Sequence, residues 1–282
     1  MAEPVLVFKG NEIARYGFGD PHPFGLDRHD VFHEELAAEK LGGGVRFGIT
    51  RDATVDELLL FHTAEYIDLV SRKSVEGRGF LDQGDTPALP GIFNAASSVV
   101  GTTLAAVDAV MNNQTRRAFT PIAGLHHAGR GHAAGFCVFN DCGVAAEYLR
   151  SRYGLRRIAY VDIDAHHGDG MFYGFEDDPD LIFADIHEDG RYLYPGTGAA
   201  AETGKGPAVG TKLNIPLAPG AGDEEFAAAW ERVRGYLDAA EPGFILLQCG
   251  ADSLAGDPIS HLGFTENAPA SAAARLCAIA DR

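Results

Sequence analysis

The sequence predicts a single α/β domain built on a mainly parallel sheet. Short apolar runs recur without strict period-2 alternation, the pattern of strands covered on both faces. Helical segments separate them, and strands alternating with helices imply parallel order. No internal repeat or low-complexity linker divides the 282 residues, a length that suits one large α/β domain.

In chain order, "DRHDVFHEELAAEKL" (27–41) reads as a helix, "VRFGI" (45–49) as a strand, and "TVDELLLFHTAEYIDLVSR" (54–72) as one helix. "GIFNAASSVVGTTLAAVDAVM" (91–111) is the next helix, and "FTPIAG" (119–124) a candidate strand. Helix "NDCGVAAEYLRSRY" (140–153) precedes strand "RIAYVDI" (157–163), and strands "LIFADI" (181–186) and "KLNIPL" (212–217) follow. "DEEFAAAWERVRGYLDAA" (223–240) is a helix with Gly222 before an acidic first turn and Pro242 past its end. "GFILLQCG" (243–250) is a strand, and "SAAARLCAIADR" (271–282) begins a helix. The Gly-rich stretch "YPGTGAAAETGKGPAVG" (194–210) reads as loop over one face.

The composition, 46% hydrophobic and 22% charged, is ordinary for a globular protein. With 23 basic and 40 acidic side chains the formal net charge is −17. That excludes a nucleic-acid backbone as partner, which needs a basic surface. It serves solubility, and it also attracts a cationic substrate. No apolar run reaches the roughly 20 residues that span a bilayer, and the N-terminus lacks a basic region followed by a long apolar one. The four cysteines form no CxxC pair, as in reduced cytoplasmic proteins. The expected location is therefore cytoplasmic, with no membrane partner.

Ligands of open parallel sheets sit outside the carboxyl ends of the strands. Three dense segments fall there: "DIDAHHGDG" (162–170), "GADSLAGDP" (250–258) and "GLHHAGRGHAAGFCVFND" (124–141). Asp164 and His166, two apart, can reach one point from an extended or tightly turning segment; a third ligand must come from elsewhere. A carboxylate–imidazole set with an open position suits a catalytic divalent metal such as zinc, and iron(II) accepts similar ligands. The competing reading is a strand end whose aspartates cap a helix. Adjacent His126 and His127 seldom share one metal. Near carboxylates they make a proton-transfer pair, because imidazole titrates near neutrality; otherwise they are ordinary core or surface histidines.

"GLHHAGRGHAAGFCVFND", "VDIDAHHGDG", "HEDGRYLYPGTG" and "LQCGADSLAGDPISHLGFT", in this order, resemble the zinc-dependent histone deacetylase family. The likeness is greatest to bacterial members of the acetoin-utilisation type. "HPFGLDR" (22–28) and "GDTPALPGIF" (84–93) also look like family segments, so the resemblance runs from about His22 to Thr265. It implies a single three-layer arginase–deacetylase α/β domain with a central, mainly parallel sheet over residues 1–282. It implies a zinc-dependent amidohydrolase acting on acetyl-lysine of a protein or peptide, with small acetylated amines of the acetylpolyamine type as the alternative substrate. A catalytically impaired zinc or acyl-lysine binder is a second alternative, and a binuclear ureohydrolase a weaker one that the HHA and AGDP contexts oppose.

Residue by residue, the resemblance makes Asp164, His166 and Asp257 the zinc ligands. It makes His126 and His127 the catalytic pair, with His127 as general base, Asp162 orienting His126 and Asp169 orienting His127. Asp162, Asp185 and Ile186 match a potassium site, although Asp185 stands where serine is common. Phe136 and Tyr194 would line a substrate tunnel, and Asp85 would grip substrate backbone at its rim. His167 is expected only to pack or to hydrogen-bond.

Family members carry a tyrosine in a Gly-rich segment well after the "AGDP" aspartate, where it stabilises the oxyanion. In these 282 residues no tyrosine follows Tyr236. A final strand missing with it would leave a sheet edge that invites homo-oligomerisation. Loss of one oxyanion donor costs about 10²–10³ in rate. The 282-residue chain is therefore expected to hydrolyse trifluoroacetyl-lysine peptides far better than acetyl-lysine peptides. Extension through any downstream Gly-Gly-Tyr-like segment should restore the acetyl reaction. Equal acetyl-lysine turnover by the short and extended chains would remove the tyrosine argument.

Overall fold

The computed structural model describes residues 3–281. The chain divides into two compact units, one ending at Tyr153 and one beginning at Gly154. Every strand pairing in both is parallel.

The first unit holds strands β1 (Val5–Lys9), β2 (Val45–Ile49) and β3 (Ala118–Phe119) in the order β2-β1-β3. Its helices are α1 (Asn11–Ala14), α2 (Arg28–Ala38), α3 (Val55–Leu58), α4 (Ala64–Glu76), α5 (Ile92–Met111) and α6 (Asp141–Tyr153). The single helix expected over 54–72 is two. Thr54 caps α3 in a capping box with Glu57, and Thr63 restarts the chain by accepting from the Tyr66 amide. The strand expected at 119–124 shrinks to Ala118–Phe119. Pro121 offers no ladder donor, and Ile122 has a φ of 70°.

Helix α5 is the central element of this unit, with Val99, Val100, Thr102 and Leu104 wholly buried. It corrects the expectation that no run is long and apolar enough to cross a bilayer. At 20 residues and mean hydropathy 1.2 it passes that test, but 72% of the stretch is buried in the fold, as for a core helix. Alanine, serine, threonine and glycine dilute the run in sequence and let neighbours approach closely. Gly101 is the extreme case: a Cβ there would lie 2.3 Å from the Arg51 carbonyl oxygen and 2.4 Å from the Ala53 nitrogen.

The second unit holds β4 (Ile158–Asp162), β5 (Leu181–Glu188), β6 (Lys212–Leu217) and β7 (Phe244–Gln248) in the order β6-β5-β4-β7. Its helices are α7 (Asp169–Gly174), α8 (Asp223–Ala240) and α9 (Asn267–Ala280). Strands β4 and β5 are buried at every residue, which explains the apolar runs 158–161 and 181–184 with which they begin. One core joins Val161, Ile182 and Ala184 to Phe226, Trp230 and Val233 of α8 and Leu276 of α9. Lys212 opens β6 buried, its ammonium donating to the Asp178 and Leu181 carbonyls at 2.8 and 2.7 Å and to Thr211 Oγ1 at 2.9 Å. The register pairs Asp162 with Asp185 on one side and with Gln248 on the other. The ends of β4 and β7 are thus level, and the loops that follow leave from the same carboxyl edge.

Gly101→Ala should destabilise the protein by about 1–3 kcal/mol or more, because the obstructing atoms are backbone and cannot rotate away. Urea unfolding of the variant beside Ser97→Ala, a change on the same helix without such a clash, checks this. Equal midpoints would show that α5 can shift.

Candidate metal centre

At Asp162, β4 turns sharply, and its aspartates direct the turn. The Asp164 amide donates to Asp162 Oδ1 at 3.1 Å, and the His166 amide to Asp164 Oδ1 at 2.8 Å. Asp164 and His166 therefore share one side of the loop. Past the end of β7, Asp252 meets them: its Oδ1 accepts from the Ala165 amide at 2.9 Å, and its Oδ2 lies 2.8 Å from His166 Nδ1. One donor atom from each of Asp164, His166 and Asp252 lies within 4.8 Å of the others.

Asp257 does not join them. The third position falls to Asp252, five residues earlier in the same segment, while Asp257 Oδ1 accepts from the Ile259 amide at 2.9 Å and closes a local turn. The physical reason is reach. Asp252 leaves directly from the strand end at Gln248, whereas Asp257 lies beyond a further turn in which its amide donates to the Leu254 carbonyl.

The site is tightly enclosed. Asp164 Oδ2 accepts from Gln248 Nε2 at 2.9 Å, and Gln248 Oε1 accepts from the Gly250 amide at 2.7 Å. A Cβ on Gly250 would fall 1.9 Å from Asp164 Oδ2, so only glycine lets the two loops approach this closely. Burial pulls the His166 pKa down, yet bonding to Asp164 and Asp252 outweighs it and holds the imidazole at about 10. Burial, and then the charge of Asp164, push Asp252 upward. A buried carboxylate, a partly buried one and an imidazole carry a charge that a divalent cation balances, with the imidazole neutral. The donor set thus fits such an ion, with Asp164, His166 and Asp252 to hold it.

The remaining residues expected here in the second unit fall around this loop. Asp162 and Asp185 are fully buried on paired strands. Asp162 Oδ2 accepts from Tyr160 at 2.5 Å; Asp185 contacts His187 Nδ1 at 2.6 Å and accepts from the Gly168 amide at 2.9 Å. Ile186 lies in the core of β5. Asp169 opens α7. Tyr194, 43% exposed, has its ring 6.4 Å from that of His166. His167 has a definite role, because its Nδ1 lies 2.8 Å from Thr197 Oγ1 and ties down the loop that carries Tyr194.

In the first unit, His126 and His127 are buried with ring centroids 4.1 Å apart. The start of α6 shapes their loop. Asp141 accepts from the Gly124 and Leu125 amides at 3.0 and 2.7 Å, and Asn140 Nδ2 donates to the His126 and Ala128 carbonyls at 3.3 and 2.9 Å. The Asn140 amide donates to His62 Nε2 at 2.9 Å, and burial holds the His62 pKa down near 4, which keeps that nitrogen an acceptor. Phe136 has a φ of 68°, and its carbonyl accepts from Tyr16 at 2.6 Å. His22 joins Phe136 to Asp85, with its ring 4.6 Å from the phenyl and its Nε2 3.0 Å from the Asp85 carbonyl. Asp85 is exposed on a turn whose amides at Gly84, Asp85 and Thr86 all converge on Asp82 Oδ1.

Asp252, Gln248, Asn140, Asp141, His22 and Asp82 escape assignment from sequence, though all lie in or beside the motifs that carry the resemblance. For Asp252 the usable signal is its closeness to the strand end.

A carboxylate–imidazole–carboxylate group at the carboxyl end of a parallel sheet suits a catalytic divalent metal, and likeness to known proteins supplies the class of protein. The family described as "Histone deacetylase domain" matches residues 22–282. The chain is 40% identical over 275 residues to acetoin utilization protein AcuC of Bacillus subtilis (strain 168), covering 95% of this chain and 70% of that one. It is 32% identical over 267 residues to AcuC of Staphylococcus xylosus, covering 91% and 69%. The HD domain of HDA15 superposes with a TM-score of 0.91 at 27% identity, covering 98% of this chain and 82% of that one. An HDAC homologue solved in complex with SAHA gives 0.87 at 29% identity, covering 99% and 76%. The chain belongs to the histone deacetylase family. It has the three-layer α/β fold of that family, with parallel sheets, and it is a deacetylase of the hydrolase class that requires a catalytic metal.

Asp252→Ala should abolish retention of one equivalent of zinc, used as the probe ion, while Asp257→Ala should keep it. Metal analysis after gel filtration decides, and the reverse pattern would return the third position to Asp257.

Proposed function

We propose that the chain is a zinc-dependent deacetylase that hydrolyses the N-acetyl amide of acetyl-lysine in a protein or peptide. The observation that carries this reading is the grouping of Asp164, His166 and Asp252, in a chain that also bears the family's His126–His127 motif. Zinc held by the three residues supplies a Lewis acid and lowers the pKa of water; iron(II) suits the same donors. His127 takes the proton of the attacking water as it adds to the acetyl carbon. It then delivers a proton to the amine nitrogen as the C–N bond breaks, so that acetate and the free amine leave. His126 supports it, and Asp162 and Asp169 serve as orienting carboxylates.

Asp85 engages substrate backbone, and Phe136 and Tyr194 flank the acyl-lysine chain. The half-exposed Tyr194 ring near His166 and the tethering of Phe136 to Asp85 through His22 support those roles. Asp162, Asp185 and Ile186 take a structural potassium ion; the paired, buried ends of β4 and β5 support this. The 282 residues act as one deacetylase-like domain in the cytoplasm.

His127→Ala should keep its zinc and lose about 10²–10⁴ in turnover on an activated acyl-lysine peptide. The same assay over a series from acetylated peptides to acetylated small amines separates the two substrate classes. Unchanged turnover in the variant would exclude the role, and preference for free acetylated amines would redirect the substrate.

A further inference from the structure

The mechanism makes no use of Glu188, a buried carboxylate at the end of β5 whose side chain has no exposed surface. Both its oxygens are committed to one residue: Oε2 accepts from the His261 amide at 2.8 Å, and Oε1 lies 2.8 Å from His261 Nδ1. The Glu188 amide donates to the Ala165 carbonyl at 2.9 Å. Ala165 stands between Asp164 and His166, and its own amide donates to Asp252. Next to His261, Ser260 Oγ donates to the Asp252 carbonyl. One residue thus reaches both sources of the donor group. Its backbone braces the loop carrying Asp164 and His166, and its side chain braces the segment that folds back onto Asp252.

We propose that Glu188 is a positioning residue for the metal centre, setting the distance of Asp252 from Asp164 and His166. This rests on the reading of those three residues as the ligands. A carboxylate suits this role because it presents two acceptors in one plane to a backbone amide and a ring nitrogen of the same residue. The His261 carbonyl accepts from the Gly220 amide at 2.8 Å, so the bracing of His261 extends back into the chain after β6. The side chain of His261 is 63% exposed, with its Nδ1 turned to Glu188.

The test is zinc affinity of the metal-free protein, measured by competition with a chromophoric chelator. It is read beside hydrogen exchange of the Ser260, His261 and Leu262 amides before zinc is added. Glu188→Ala should weaken zinc about 10–100-fold, the range for groups that orient ligands, and speed exchange of the His261 amide. Glu188→Gln keeps one acceptor and should lie between Glu188→Ala and the parent. His261→Ala, at an exposed side chain, should show a smaller loss in the same direction and covers the case in which Glu188→Ala fails to fold. Parent-like zinc affinity in Glu188→Gln and His261→Ala, with unaltered exchange, would overturn the proposal. If Asp252→Ala also binds zinc like the parent, the ligand reading fails first and the role of Glu188 falls with it.

Discussion

Two carboxylates, Asp164 buried and Asp252 largely so, meet beyond the ends of β4 and β7, and the surrounding loops of the second unit are arranged to tolerate them. Unit charges about 4 Å apart repel by about 4 kcal/mol at an effective dielectric of 20. A chain with no use for that repulsion would not bring Asp164 and Asp252 around one imidazole. Amide donors from Ala165 and His166, the Gln248 side chain and the His166 ring offset part of the cost. None is a divalent ion, and a divalent ion is what neutralises the pair while leaving the imidazole free to ligate.

This constraint reaches outward through the strands. Carboxylates can approach only if the backbone around them is thin, hence Gly250 pressed against Asp164. They can stay put only if the strand ends are level, hence the register that sets Asp162 between Asp185 and Gln248. Burial of β4 and β5 along their whole length holds that register, because a one-residue slip would turn every side chain to the other face. The apolar run at 157–163 and the polar cluster after it are two sides of one requirement.

Much of this is legible in the sequence, and unevenly. Runs of β-formers between helical segments locate β2, β4, β5, β6 and β7; β4 and β5, buried at every residue, turn polar only toward their carboxyl ends. Strand β1 is not evident in the sequence, and β3 lies just before Pro121 rather than across it. Two pairing residues leave almost no pattern to read. The break at Thr63 is hidden because the apolar residues on either side, Leu58 to Phe61 and Tyr66 to Val70, keep a helical rhythm across it. In the site, Asp164 and His166 are readable because local hydrogen bonds place them together. The third donor is not, since spacing alone does not separate Asp252 from Asp257 in "GADSLAGDP". The choice is made by the Ala165 amide and the His166 ring, contacts of Asp252 that exist only once β4 and β7 are paired.

The histidine pair rests on a different principle. His126 and His127 lie in a loop, where adjacent side chains have no fixed directions of their own. Their directions are set from behind, by Asp141 and Asn140 at the start of α6 binding the loop's amides and carbonyls. Burial raises the Asp141 pKa, and four hydrogen bonds oppose that rise. Three of its donors are the Gly124 and Leu125 amides and the Thr103 hydroxyl, all neutral. His62 likewise stays neutral near pH 7, because burial outweighs its two carbonyl contacts. The start of α6 therefore fixes the path of the loop that carries the two imidazoles, and a fixed path is what a pair that must accept and then release a proton at one place requires of its support.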